Sequence, residues 1–428
     1  MRKMMIMMIT IFMVMSLGAC GSSAGSDERE TDEVVKASEE METNESEDAE
    51  AETTEAENTD VEESEITETE TAGNETSGSE GFVFESNGDG TCTLTKVGVC
   101  KDADMVIPAK SPEGDMVTKI AEYAFRSAEP MSSLTFSGIT QELEAKAFQS
   151  CEIEKIIISD CNLTIGENAF SYCEEVEELI INNSTIEIDV YSFYDGGKDM
   201  SVNISDCTGS LGNKAFQSSC IGSLTIKDCT LEVGENAFSY VDELEEITIE
   251  NCTLELGSYA FYDAGDDTIV NIKNCKVEMD DNAFQSSCLQ TINISESETV
   301  MGDNAFSYCD ELTDVIIGVG NTEIGEYAFY DCMGLINVSI AAESQDDSME
   351  IVLKDRAFQS CSVQNVIIGR GTVEIGDNAF SYCKELTNVA IGGNALQISD
   401  DAFYSCPDEL CITYNGVEYN KESIETIK

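Results

Sequence analysis

Leu231-Glu-Val-Gly-Glu-Asn-Ala-Phe238-Ser-Tyr-Val-Asp-Glu-Leu244-Glu-Glu-Ile247-Thr-Ile249-Glu-Asn-Cys252 is one unit of a pattern that fills most of this chain of 428 residues. Its apolar residues at 244, 247 and 249 read as a short strand facing inward, and Asn251-Cys252 marks the bend that follows. The landmark is the Phe, usually preceded by Ala. It stands at Phe125, Phe148, Phe170, Phe193, Phe216, Phe238, Phe261, Phe284, Phe306, Phe329, Phe358, Phe380 and Phe403, in steps of 22 or 23 residues with a single step of 29. A unit this short cannot bury its own Phe and aliphatic side chains, so units must stack, with parallel strands about 4.8 Å apart. Each buried Phe contributes about 1.5–3 kcal/mol, and cooperativity comes from the array as a whole. The expected architecture is a solenoid of about 13 coils, with parallel β-strands joined by short helical turns.

Outward from the array, the ends differ sharply in composition. Arg2-Lys3, an apolar stretch from Met4 to Val14, and Leu17-Gly18-Ala19-Cys20 form a secretory signal, too short to span a bilayer. The Leu-Gly-Ala-Cys tetrad resembles the bacterial lipobox, which implies cleavage after residue 19 and a diacylated Cys20 at the new N-terminus. Residues 21–80 hold 23 acids against Arg29 and Lys36, without one aromatic ring. Such a stretch buries too little apolar surface to offset its ordering entropy, so 20–80 reads as a lipidated, disordered acidic linker. Residues 81–118, with the turn Asn87-Gly88-Asp89-Gly90, read as an N-terminal cap. That turn lacks the ligand spacing of a calcium loop. The repeats occupy 119–411, and Asn415-Gly416 between two short strands signals a hairpin in a C-terminal cap, 412–428.

The pattern Ile-Gly-x-x-Ala-Phe-x-x-Cys-x-x-Leu-x-x-Val-x-Ile is complete from Ile324-Gly325 through Phe329, Cys332, Leu335 and Val338 to Ile340, and again from Ile375 to Ile391. It resembles the BspA-like leucine-rich repeats of bacterial surface proteins. That resemblance covers about residues 81–425 and implies a leucine-rich-repeat solenoid, surface display, adhesion and binding of host or neighbouring-cell proteins. Departures are Ser192 for Ala before Phe193, Val241 where Cys is usual, and Cys220 and Cys288 shifted by one place.

Composition narrows the chemistry. Acids number 85 against 22 basic residues, for a formal net charge of −63, so a nucleic-acid partner is not expected. The chain has no His, which removes Ser/His/Asp and Cys/His catalysis and His-containing zinc sites. Of 18 cysteines, 17 remain after lipidation of Cys20; they recur at fixed repeat positions and form no CxxC pair, so they read as buried, reduced thiols. Cys207, Cys229, Cys252 and Cys275 in particular are expected as a reduced ladder. No cofactor, metal or catalytic residue is indicated.

Over the 23-residue repeat lies a longer one. The residues after each Phe cycle through Gln-Ser, Ser-Tyr and Tyr-Asp, so Phe148, Phe216, Phe284 and Phe358, spaced 68, 68 and 74 residues, head similar three-coil cassettes. The extra six residues fall in the hydrophilic stretch 343–350, expected to be a disordered loop. The cassette brings Tyr172, Tyr191 and Tyr194, then Tyr240, Tyr259 and Tyr262, then Tyr308, Tyr327 and Tyr330, and finally Tyr382 and Tyr404, onto neighbouring coils as ring clusters. Tyr offers large area at little entropic cost, which makes these rings the first candidate for binding. The second is the outward strand row, whose centre is Thr225, Thr248, Asn271 and Asn293. The expected function is a surface lipoprotein, held to the membrane through Cys20, whose solenoid binds a host or bacterial surface protein or glycan. An envelope enzyme or thiol redox protein, and a purely structural spacer, are the alternatives.

Overall fold

The computed structural model describes residues 78–424 except 345; the signal peptide, Cys20 and the linker up to residue 77 lie outside the described residues. Each coil carries two strands. In the coil of Phe238, Thr230–Val233 precedes the ring and Glu246–Glu250 follows it. The strands upstream of each Phe pair from coil to coil in one 15-stranded sheet, and those downstream in a second. Pairing is parallel and keeps the repeat in register, with Leu231 opposite Leu254 and Ile247 opposite Val270. Antiparallel pairs occur at the ends, where Val83–Ser86 joins Thr91–Lys96 and Cys411–Tyr414 joins Val417–Tyr419.

Two expectations are corrected here. One strand per coil was expected, and the upstream strand was missed because Thr-Leu-Glu-Val alternates over four residues only, too few for the period to stand out. The Phe turn was expected to be a short helix, and it is not one. Asn236 and Tyr240, two places either side of Phe238, have φ of 57° and 59°, and Asn251 at the third corner has 57°. Left-handed residues at this spacing deny the i→i−4 bonds of an α-helix. Instead the turn bonds forward: Phe238 N–H donates to Ala260 O at 2.7 Å and Tyr240 N–H to Tyr262 O at 2.9 Å. Among the described residues the α-helix is confined to Lys421–Ile424. Ser192 and Val241 leave this turn intact: both are buried, and Ser192 Oγ donates to Asp189 O at 2.7 Å.

The thirteen Phe rings form a column through the core, adjacent centroids 4.1 to 5.6 Å apart and near-parallel. Each stack adds about 0.5–1.5 kcal/mol beyond area burial. The segment read as an N-terminal cap is itself part of the array. Thr91–Lys96 and Asp104–Val106 make a first coil without the Phe, and Phe82 closes the column edge-on against Phe125 at 5.9 Å. Its Asp89 turn is a simple one: the carboxylate accepts the Thr91 hydroxyl at 2.6 Å and backbone N–H at 3.0 Å, which draws its pKa down. At the other end Asn415 and Gly416, with φ of 50° and 79°, make the expected hairpin turn, and Ile424 of the helix is buried. The stretch 343–350 is anchored, against expectation, by Met349, which is buried and accepts the Gly320 N–H at 3.4 Å.

Candidate functional site

The three-coil cassette has a side-chain explanation. From its first coil to its second, Gln reaches Ser: Gln149 to Ser171, Gln217 to Ser239, Gln285 to Ser307 and Gln359 to Ser381, at 2.7 to 3.0 Å. From the second to the third, Tyr meets Tyr. From the third to the next cassette, Tyr meets a cation at two of the three junctions, Tyr191 with Lys214 and Tyr327 with Arg356. Each junction uses a different pair, so the order of coils is specified as well as their stacking.

The structure brings the candidate tyrosines together. Tyr172–Tyr194 and Tyr191–Tyr194 centroids lie 5.7 and 5.3 Å apart. Tyr240–Tyr262 and Tyr259–Tyr262 lie at 5.5 and 5.6 Å, Tyr308–Tyr330 and Tyr327–Tyr330 at 5.5 and 5.4 Å, and Tyr382–Tyr404 at 5.5 Å. All meet edge to face, the arrangement ring quadrupoles favour. Tyr172, Tyr240, Tyr308, Tyr382 and Tyr404 are exposed and the other six half-buried. Burial pushes the phenols of Tyr194, Tyr240, Tyr262 and Tyr330 up, and does the same to the carboxyl of Asp263 beside Tyr262.

Backbone geometry sharpens the point. Tyr172, Tyr240, Tyr308 and Tyr382, and Tyr191, Tyr259 and Tyr327, all sit at positive φ. In other coils the same corners hold Asn168, Lys214, Ser218 or Asn282, so the fold demands the conformation and not the Tyr. A bulky ring is a poor choice for a left-handed corner, where Asn is tolerated far better. The tyrosines are therefore explained by what their rings touch.

Sequence reasoning missed the cations that cover some of these rings. Lys214 Nζ lies 5.5 Å from the Tyr191 centroid and donates to its hydroxyl at 3.3 Å. Arg356 Cζ lies 5.3 Å from the Tyr327 centroid while its Nη1 pairs with Glu326 at 2.7 Å. Tyr123 is approached by Arg126 and Lys146 at 5.6 and 5.8 Å. The signal was present in the sequence: aligning the residue two places before each Phe sets Tyr123 beside Lys146, Tyr191 beside Lys214 and Tyr327 beside Arg356.

The second candidate also lies as placed by the sequence. Thr225 pairs with Thr248, Thr248 with Asn271 and Asn271 with Asn293 along the outward row of the downstream sheet. This row is largely engaged with itself: Asn293 Nδ2 donates to Asn271 Oδ1 at 3.0 Å, and Thr248 Oγ1 and Asn271 Nδ2 both donate to Glu246 Oε1.

The described cysteines other than Cys288 are free thiols, 14 of them buried. In the column of Cys207, Cys229, Cys252 and Cys275, the Sγ of the last three each accepts the preceding cysteine's N–H at 3.3 to 3.4 Å, and all four donate to the carbonyl two residues before them. Ser184 and Ser297 do the same work at either end, receiving the Cys161 and Cys275 amides at 3.0 Å. A second column, including Cys151, Cys173, Cys309 and Cys383, donates to the Phe carbonyl of the preceding coil. Burial pushes Cys151 up to about 12 and Cys406 to about 11. Such thiols are poor nucleophiles, because the thiolate is the reactive form.

The chain matches the BspA type leucine rich repeat region in six copies, within residues 110–220, 209–336 and 351–424, and it belongs to that family. No curated protein matches its sequence. Among solved structures, a leucine-rich repeat protein from Bacteroides ovatus is 17% identical, covering 78% of this chain and 98% of its own, with a TM-score of 0.34. A leucine rich cell surface protein from Faecalibacterium prausnitzii is 20% identical, covering 79% and 94%, at 0.31. The pneumococcal vaccine antigen PcpA is 13% identical, covering 78% and 91%, at 0.29. No helix among the described residues is long and apolar enough to cross a membrane.

Proposed function

We propose that this protein is a cell-surface lipoprotein, anchored through lipid on Cys20, whose solenoid is a scaffold that binds a protein or glycan along its ridge of tyrosine clusters. The observation that carries this reading is the recurrence of edge-to-face rings at corners where Tyr has no backbone advantage. Three such clusters and a pair repeat along one ridge, so binding is multivalent and avidity accrues without new contacts. The alternative of a thiol enzyme finds no support in cysteines that are mostly buried, with Cys151 and Cys406 held protonated at neutral pH.

The test is binding of the full chain to immobilised extracellular-matrix and bacterial-surface proteins and glycans. Tyr240→Ser, Tyr259→Ser and Tyr262→Ser together weaken binding modestly, and the equivalent changes in several cassettes weaken it far more. A fall in melting temperature with unchanged affinity per folded molecule rejects the ridge and leaves the Thr225–Asn293 row as the remaining surface. For the anchor, mass spectrometry of the mature N-terminus shows a diacylated Cys20, and Cys20→Ala leaves the protein unprocessed or released. Acyl chains supply about 0.8 kcal/mol per buried CH₂. An unmodified Cys20 overturns the anchor.

A further inference from the structure

Four times along the array a Tyr stands two places before the Phe of the coil that precedes a new cassette: Tyr123, Tyr191, Tyr259 and Tyr327. Three of these rings are met by a cation from the next coil, at the equivalent position Lys146, Lys214 or Arg356. The fourth position is Asn282. Among the described residues no cation stands over Tyr259. The backbone and the Phe stack of the junction are built like their equivalents, with Ser258 where Glu326 pairs with Arg356 and Glu122 with Lys146. Asn282 is left-handed at 63°, as are Lys146, Lys214 and Arg356 at 57° to 60°, and Phe261 and Phe284 stack beneath at 4.6 Å.

Charge at this junction favours the missing cation. Asp280 and Asp281 precede Asn282 on the chain and are exposed. Asp263 adjoins Tyr262 of the same ring cluster, and among the described residues it has no ion pair. Where Arg356 fills the place over Tyr327, it satisfies the ring face and a carboxylate at once. A second copy of this chain, at −63, is repelled from such a spot, and the chain's own residues 21–80 are acidic too.

We propose that the half-buried Tyr259 ring, which no cation of the described residues covers, is a binding site for a lysine or arginine side chain of a partner protein, set over the ring as Arg356 is over Tyr327. This rests on the reading of the tyrosine ridge as a recognition surface and names the partner's chemistry there. Of the four equivalent junctions, three are closed from within and one receives a ligand, which gives a repetitive surface a single register for its partner.

The experiment uses the full chain labelled with 3-fluorotyrosine, its Tyr259 resonance assigned through Tyr259→Phe and followed by ¹⁹F NMR. The probes are N-acetyl-argininamide and its neutral isostere N-acetyl-citrullinamide at equal ionic strength. The arginine probe shifts Tyr259 saturably and binds roughly three- to thirtyfold more tightly than the citrulline probe. Asn282→Arg, which places a cation where Arg356 stands in its own coil, abolishes that shift without lowering the melting temperature. Lys214→Asn opens a second site, and the Tyr191 resonance then titrates as well. A Tyr259 that does not respond, responds equally to citrulline, or still responds in Asn282→Arg overturns the proposal. If cassette Tyr→Ser variants lose a surface partner that Asn282→Arg retains, the ridge reading stands and this site fails. If Tyr259 titrates while those variants keep their partner, this site stands and the ridge reading fails.

Discussion

The inside and the outside of the Phe turn are built from the same few residues and follow different periods. Inward, Phe column and Ala recur in nearly every coil, because each coil faces the same problem of covering its neighbour's ring. Beside it, the residues that bridge coils within two places of Phe on either side repeat only every third coil, because they are chosen in pairs: Gln with Ser, Tyr with Tyr, Tyr with a cation. Burial is non-directional and asks for the same side chain everywhere, whereas a hydrogen bond or ring contact asks for a particular neighbour. The short period therefore sets the fold, and the long one sets which coil follows which.

The largest way to stress this difference acts on the buried thiols, with the raised phenols of Tyr194, Tyr240, Tyr262 and Tyr330 losing stability in the same direction. Thiols held protonated by burial lose their advantage once the unfolded chain ionises. Cys151 has its pKa raised from 9 to about 12, so its stabilising contribution is complete below pH 9 and is lost as pH rises from about 9 through about 12. The loss is about 1.4 kcal/mol per pH unit for one such thiol. Several buried thiols share this sign, Cys406 and Cys383 among them, so their losses add. Urea unfolding followed from pH 8 to pH 11 shows a steep fall in stability, and Cys151→Ser makes that fall shallower by one thiol. A flat profile shows the inward thiols to be hydrated.

Next comes the column itself. Phe238→Ala removes a ring stacked 4.9 and 5.0 Å from its two neighbours and leaves a cavity, at a cost of about 3–5 kcal/mol. Ser307→Ala, three coils further along, removes a buried hydroxyl that bridges two coils, leaves the half-exposed Gln285 amide to water and costs about 0.5–1 kcal/mol. Denaturant midpoints of the two variants test the comparison directly. Equal losses break it, since the outside pairs are then as necessary to stability as the core.

Much of this was legible in the sequence because repetition amplifies weak signals. One Ala-Phe means little; twelve, with Ser192-Phe193 set among them, at a nearly constant step leave no other fold for residues 119–411. The meeting of Tyr240 with Tyr262 followed from counting places after Phe, since stacked coils bring the second place after one Phe near the first place after the next. What failed was local conformation. A Phe flanked by Asn236 and Tyr240 reads as a short helix in one coil alone, and the amides bonding forward to the next coil are what hold those corners left-handed. Lys214 over Tyr191 escaped notice because the partners lie 23 residues apart and neither is unusual by itself. The anchor at Cys20 and the linker fall outside the described residues and stand on sequence alone.

The smallest effect separates what a cysteine does from what it is. Cys252 fills a small buried space, accepts the Cys229 N–H at 3.4 Å and donates to Glu250 O at 3.1 Å. Ser184 and Ser297 show that a hydroxyl performs the same two tasks at equivalent places, with Ser297 Oγ taking the Cys275 amide at 3.0 Å and donating to Ser295 O at 2.7 Å. Cys252→Ser therefore keeps both bonds and loses only part of the sulfur's packing, a change within about 1 kcal/mol. Cys252→Ala keeps the apolar character and strands the Cys229 N–H in a buried place, which costs about 1–3 kcal/mol. The more polar replacement is thus the milder one, the reverse of what core burial alone dictates. Denaturation of both variants decides the matter: if alanine is tolerated better than serine, the column is held by packing, and its bonds to the neighbouring coil are incidental.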